Sequence, residues 1–151
     1  MIDPNGIAHI QLSVRDFAAA RAHYYALCHE TFGMAIQYDQ RDCFYCIGGR
    51  TGIMITPATE PEAFHQRRAG LHHICFRLRS EEDVDALHAK LVEMGVKIIR
   101  APEYGPWADG YYSTLWEDPD GIRLEANYVP GRGNLDRITD SGPIPDRFSE
   151  S

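Results

Sequence analysis

The chain has 151 residues, of which 44% are hydrophobic, 25% charged and 11% aromatic, and its formal charge is −7 with histidine neutral. That length and mix suit one globular domain, which at this size buries roughly 68–70% of its unfolded surface and needs no staple to fold. An acidic chain without a basic run argues against nucleic acid or an anionic membrane as partner, and no apolar stretch reaches the roughly 18–20 residues of a membrane span.

The start, Met1-Ile2-Asp3-Pro4-Asn5-Gly6, lacks a basic region followed by an apolar core, so no secretory signal is expected. The four cysteines, Cys28, Cys43, Cys46 and Cys75, form no dense framework and are expected as reduced thiols in a cytoplasmic protein. Residues 7–14 alternate, with Ala8, Ile10, Leu12 and Val14 on one face and His9, Gln11 and Ser13 on the other, as in a half-buried strand. Asp16 is placed to cap a helix that runs to about residue 31 and is stopped by Gly33. Strand-like segments follow near 34–40, 43–48 and 52–57, and a linker with Pro61 and Gly70 leads to a strand at 71–78. Ser80 and Asp83 resemble a capping box, and Glu81, Glu82 and Asp83 suit the positive end of the next helix. Val84, Leu87, Leu91 and Met94 form its apolar stripe, and Gly95 ends it. Strands are expected near 96–101, 111–117 and 121–128, the last two joined by the turn Asp118-Pro119-Asp120-Gly121.

The order is therefore β-α-β-β-β, twice. Ile7-Ala8-His9-Ile10 resembles Leu71-His72-His73-Ile74, Gly33 matches Gly95, and Gly52-Ile53-Met54-Ile55-Thr56 is set against Gly121-Ile122-Arg123-Leu124-Glu125. With Val14-Arg15-Asp16 against Leu78-Arg79-Ser80, these four landmarks at near-constant offset point to a duplicated unit packed on itself, an α+β domain over 1–130 with modules at about 5–57 and 70–129. Residues 131–151, rich in Gly and Pro, are expected as an irregular tail.

In each module one strand face must meet the helix, so the opposite parity is informative. It carries His9, Gln11 and Ser13 on the first strand, Met54 and Thr56 on 52–57, His73, Cys75 and Arg77 on 71–78, and Arg123, Glu125 and Asn127 on 121–128. Two imidazoles and one carboxylate form a common divalent-metal set that leaves positions open for substrate or oxygen. One such histidine would usually be only a polar strand residue. Three such residues of matching parity on repeat-matched strands make His9, His73 and Glu125 the candidate site, with iron, manganese, zinc, nickel or cobalt as the ion.

These stretches, with Asp118-Pro119-Asp120-Gly121-Ile122-Arg123-Leu124-Glu125 as the most specific part, resemble the vicinal oxygen chelate proteins: the glyoxalase, bleomycin-resistance and extradiol-dioxygenase superfamily. The resemblance covers about residues 5–130. It implies paired β-α-β-β-β modules cupped around a metal, with His9, His73 and Glu125 as ligands. The substrate would be a small molecule that chelates the ion through vicinal oxygens, and the working form would be a homodimer. Glyoxalase I and some epimerases carry Glu or Gln at the repeat mate of Glu125, which this reading assigns to Thr56. A neutral hydroxyl is a poor base, so the resemblance favours dioxygenase, lyase, isomerase or resistance-type transferase chemistry over glyoxalase I. The alternative is a non-catalytic drug- or metabolite-binding protein of the bleomycin-resistance type.

Thr56, Arg77, Tyr112, Arg123 and Asn127 are candidate substrate-binding residues, and Arg123 could instead pair with Glu117 or Asp118. The general base is open between Tyr112, Glu103 and a metal-bound hydroxide. His72 has helix-facing parity and reads as structural, whereas His23, His29, His65 and His88 read as solvated. Cys43 and Cys46, three apart on one strand, point to opposite faces and make no redox pair. The aromatic run Tyr104-Gly105-Pro106-Trp107-Ala108-Asp109-Gly110-Tyr111-Tyr112 is either a lid or an ordinarily packed loop.

Overall fold

The computed structural model describes residues 2, 6–60 and 62–131. The tail expected at 131–151 lies outside the described residues beyond Gly131. The chain divides into two compact units, Met1–Arg67 with Asp118–Ile122, and Arg68–Glu117 with Arg123–Ser151. Among the described residues no helix is long and apolar enough to cross a membrane.

The first unit contains strand β1 (His9–Val14), helix α1 (Phe17–Tyr24), a π-helical segment (Tyr25–Thr31), and strands β2 (Ala35–Gln40), β3 (Cys43–Gly48) and β4 (Thr51–Pro57). Its sheet runs β1-β4-β3-β2. Only the β1–β4 pair is parallel. The Asp16 carboxylate caps α1 by accepting from the Ala19 amide at 2.9 Å. The helix does not stay α-helical to residue 31 as the sequence suggests. Its turn widens, the Phe32 amide reaches the Leu27 carbonyl at 3.0 Å, and the Thr31 hydroxyl reaches the Ala26 carbonyl at 2.8 Å. The wider turn keeps Tyr24, Leu27 and Cys28 all buried. Gly33, at φ 65°, then closes it in the left-handed region. The core is built from Leu12, Val14, Ala20, Tyr24, Phe44, Ile53 and Ile55.

The second unit repeats the plan with β5 (Ile74–Arg77), α2 (Glu81–Glu93), β6 (Lys97–Tyr104), β7 (Tyr112–Glu117) and β8 (Arg123–Tyr128), in the order β5-β8-β7-β6. The Ser80 hydroxyl caps α2 by accepting from the Asp83 amide at 3.1 Å. Val84, Leu87 and Leu91 are buried, as are Trp116, Leu124 and Ala126 on the strands beneath the helix. Strand β5 is shorter than expected, so His73 stands just before it.

The Asp118–Ile122 turn belongs to the first unit. Asp118 is buried there. Its Oδ1 accepts from the Asp120 and Ile122 amides, both at 2.8 Å, and its Oδ2 from the Tyr24 hydroxyl at 2.9 Å. Asp120 accepts from the Arg15 backbone amide at 2.6 Å and from its Nε at 3.0 Å. The most recognisable stretch of the sequence is thus a turn built on buried carboxylates. All four cysteines are free, with Cys46 buried and Cys43 half-buried.

Candidate functional site

The ladders give the open face of each sheet a defined row. Across the first unit it reads Tyr38, Tyr45, Met54, Gln11. Across the second it reads Arg100, Leu115, Glu125, Cys75. Matching His9 to His73 matches Gln11 to Cys75, and their strand partners are Met54 and Glu125. The mate of Glu125 is therefore Met54. Thr56 partners Ser13, which puts it in register with Asn127. The inference from Thr56 survives the correction, since a thioether also supplies no base.

Glu125 and His73 come together in the second unit. His73 Nε2 lies 3.1 Å from Glu125 Oε2. The other oxygen, Oε1, accepts from the Tyr111 hydroxyl at 2.9 Å and from Arg100 Nη2 at 3.1 Å. Burial pushes the Glu125 carboxyl up, but hydrogen bonds from His73, Ser113 and Tyr111 outweigh it and hold it below its ordinary value. Glu125 is therefore an ionised, buried acceptor. Tyr111 is pushed well above the ordinary tyrosine value, chiefly by burial and then by Cys75 and Glu125, so it keeps its proton and donates.

His72, taken from parity as structural, stands with its Nδ1 2.7 Å from His73 Nδ1. One of the two must donate. With His73 Nε2–H on the carboxylate, His72 donates. With the His73 Nε2 lone pair free for an ion, His73 donates instead, and His72 can accept. The 3.1 Å edge between His73 Nε2 and Glu125 Oε2 is also what two ligands about 2.1 Å from one ion make. An imidazole that can present Nε2 and an ionised carboxylate fit two positions of a divalent ion. Among the described residues no group of three or more His, Cys, Asp or Glu is arranged to hold a metal.

His9 lies in the first unit, exposed on β1, its ring nearly perpendicular to that of Tyr45 with centroids 6.3 Å apart. Tyr45 crosses Gly52, where a Cβ would sit 2.5 Å from its ring. Thr56 accepts from Gln11 at 3.3 Å. In the second unit Asn127 is buried on the face of Glu125. Arg123 has the same parity and stands 3.8 Å from Glu117, the ion pair left open by the sequence. Arg77 donates to the Gly131 carbonyl at 3.1 Å. Tyr112 is a correction: its hydroxyl donates to Asp85 of α2 at 2.8 Å, so it lies on the helix side. That contact first, and burial second, push its phenol up to about 12, which removes it as a base. Glu103 is exposed beside Arg100, at 3.6 Å.

The sequence reading missed Arg100, Ser113 and Tyr111. Irregular register in β6 around Arg100 hides its facing from parity, and Tyr111 precedes its strand. Of the two readings left open for the aromatic run, the structure has the packed loop, with Ala108 and Tyr111 buried against Val129 and Trp107 packed on them. His23 is buried rather than solvated, and burial pushes it down to about 4. His29 reaches the Met34 carbonyl at 2.9 Å and His88 lies 3.4 Å from Thr114, both half-buried, whereas His65 is exposed.

The family model for the glyoxalase/bleomycin resistance protein/dioxygenase superfamily matches residues 6–126. The chain belongs to this superfamily. A glyoxalase-superfamily chain of two β-α-β-β-β units is what the sequence resemblance implied. Protein YqjT of Bacillus subtilis is 31% identical over 126 residues, covering 78% of this chain and 94% of that one. A lactoylglutathione lyase from Agrobacterium tumefaciens shares the fold at 21% identity and TM-score 0.62, over 87% of this chain and 96% of that one. The fosfomycin resistance protein FosX from Listeria monocytogenes does so at 21% identity and TM-score 0.64, over 89% and 100%.

Proposed function

We propose that the chain is a divalent-metal-dependent enzyme acting on a small molecule that offers two neighbouring oxygens, by dioxygenase, lyase, isomerase or transferase chemistry. The observation that carries this reading is the 3.1 Å edge between His73 Nε2 and the ionised Glu125. His73 and Glu125 would be two ligands and His9 the third, supplied by the same chain or by a second copy in a homodimer. The ion would be iron, manganese, zinc, nickel or cobalt, and it would supply Lewis acidity toward the substrate oxygens.

The chain's own residues do the rest. Glu125 brings the negative charge. His72 can accept from His73 Nδ1–H, the arrangement that leaves the Nε2 lone pair free for the ion. Tyr111 stays protonated and serves as a donor. With Met54 at the mate of Glu125, no carboxylate moves a proton from that position. Superfamily relatives include proteins named for lyase and antibiotic-resistance roles, which supports a small-molecule substrate without choosing the reaction.

The test is metal content by mass spectrometry, on protein purified without chelator, for wild type and His73→Ala. About one ion per chain, lost in the variant, supports the reading. No ion in the wild type, and none taken up from an equimolar supply, overturns it in favour of a sequestering protein.

A further inference from the structure

We propose that Arg100 and Tyr111 are positioning residues that reserve one oxygen of Glu125, so that this carboxylate meets a cation through Oε2 alone. The proposal rests on the metal reading above and adds how the ligand is held. A carboxylate offers about four lone-pair sites on its two oxygens. On Oε1 two are taken, by Tyr111 at 2.9 Å and Arg100 at 3.1 Å. Only Oε2 faces His73. Chelation by both oxygens would require giving up a buried, charge-assisted hydrogen bond.

The clamp is itself held. Arg100 Nη2 also donates to the Ser113 hydroxyl at 2.5 Å, and its guanidinium lies 5.2 Å from the Trp107 ring centroid. Trp107 fits because residue 105 is glycine: a Cβ there would lie 2.1 Å from the indole. Tyr111 packs edge-on against the same indole, centroids 5.0 Å apart. The 105–111 loop therefore supports both donors to Oε1. Its aromatic run is the rigid backing of one carboxylate oxygen.

The experiment titrates metal-free protein with Co²⁺, following affinity and the visible d–d absorption, for wild type, Arg100→Gln, Arg100→Lys and Tyr111→Phe. Circular dichroism establishes that each variant is folded. Loss of a group that hydrogen-bonds a metal ligand typically weakens affinity about 10–100-fold. Arg100→Gln is expected in that range, Tyr111→Phe near its lower end, and Arg100→Lys within a few-fold of wild type. With one of the two donors to Oε1 gone, Glu125 can bind more readily through both oxygens, so the absorption should weaken in Arg100→Gln as coordination number rises. Tyr111→Phe keeps the ring contacts and carries the test if Arg100→Gln does not fold. Unchanged affinity and spectrum in the folded variants, with a wild type that binds Co²⁺, overturn the clamp and leave the metal reading standing. A folded wild type that takes up no Co²⁺ overturns both.

Discussion

The same row of the same ladder carries opposite chemistry in the two units. In the first it is two tyrosines, a methionine and a glutamine; in the second it is an arginine, a leucine, a glutamate and a cysteine. The hydrogen-bonded frame is alike, down to the single parallel pair and the side-chain cap on each helix. Core positions face the helix in both. The open face was therefore free to diverge while the fold stayed fixed. Tyr38 and Tyr45 lie nearly parallel, at 15° with centroids 6.4 Å apart, next to the upright His9 ring. Half-buried Arg100 pairs with buried Glu125, their side chains 17% and 7% exposed. One row is aromatic and half-open, the other charged and buried at its centre, at Leu115 and Glu125.

Removing the matched residues should separate the rows most. Glu125→Ala takes the buried carboxylate from half-buried Arg100 and from the Tyr111 hydroxyl and should cost about 2–3 kcal/mol, whereas half-buried Met54→Ala should cost about 1 kcal/mol. Urea unfolding measures both, and equal costs would break the comparison.

The helix histidines sharpen it next. His23 of α1 is buried, and among the described residues its Nε2 has no hydrogen-bond partner, whereas His88 of α2 lies beside Thr114. His23 is pushed from 6.5 down to about 4 by burial, so the native state keeps it neutral where the unfolded chain protonates it. Stability should fall as pH drops below 6.5 and level off near 4, by about 3 kcal/mol in all from this group. His23→Gln should flatten that part of a stability-against-pH curve, and a curve of unchanged slope would contradict the assignment.

Gly52→Ala should cost about 1–2 kcal/mol by driving the Tyr45 ring off its seat. Tyr45→Ala in the same chain should relieve the clash, a coupling that a double-mutant cycle would detect. The smallest effects should be equal ones. Asp16→Ala and Ser80→Ala each remove a helix cap worth about 1 kcal/mol, one per unit.

Periodicity made the two β-α-β-β-β units legible, since each strand alternates and each helix carries its cap and its terminal glycine. Parity also put His9, His73 and Glu125 on open faces. Parity could not fix register. Met54 and Thr56 share a face, and only the β1–β4 ladder shows which one matches Glu125. It could not see Arg100, because irregular pairing in β6 breaks the alternation it depends on. Parity gave no facing for Tyr112; it points to α2, and its neighbour Tyr111 takes the position on Glu125. His23 looked polar and therefore solvated, but the widened turn after α1 and the sheet beneath it bury that face. The Asp118–Asp120 turn was the strongest family signal, yet its carboxylates hold amides, Tyr24 and Arg15. In each case the missing information was tertiary: a register, an irregular ladder, or a packed surface.

The most direct test of the central claim compares Glu125→Gln with Met54→Gln in calorimetric titrations of metal-free protein with Mn²⁺ or Co²⁺. If the charged row of the second unit holds the ion, Glu125→Gln loses more than tenfold in affinity and Met54→Gln stays at the wild-type value. Equal losses in the two variants, or full affinity in Glu125→Gln, would contradict the account.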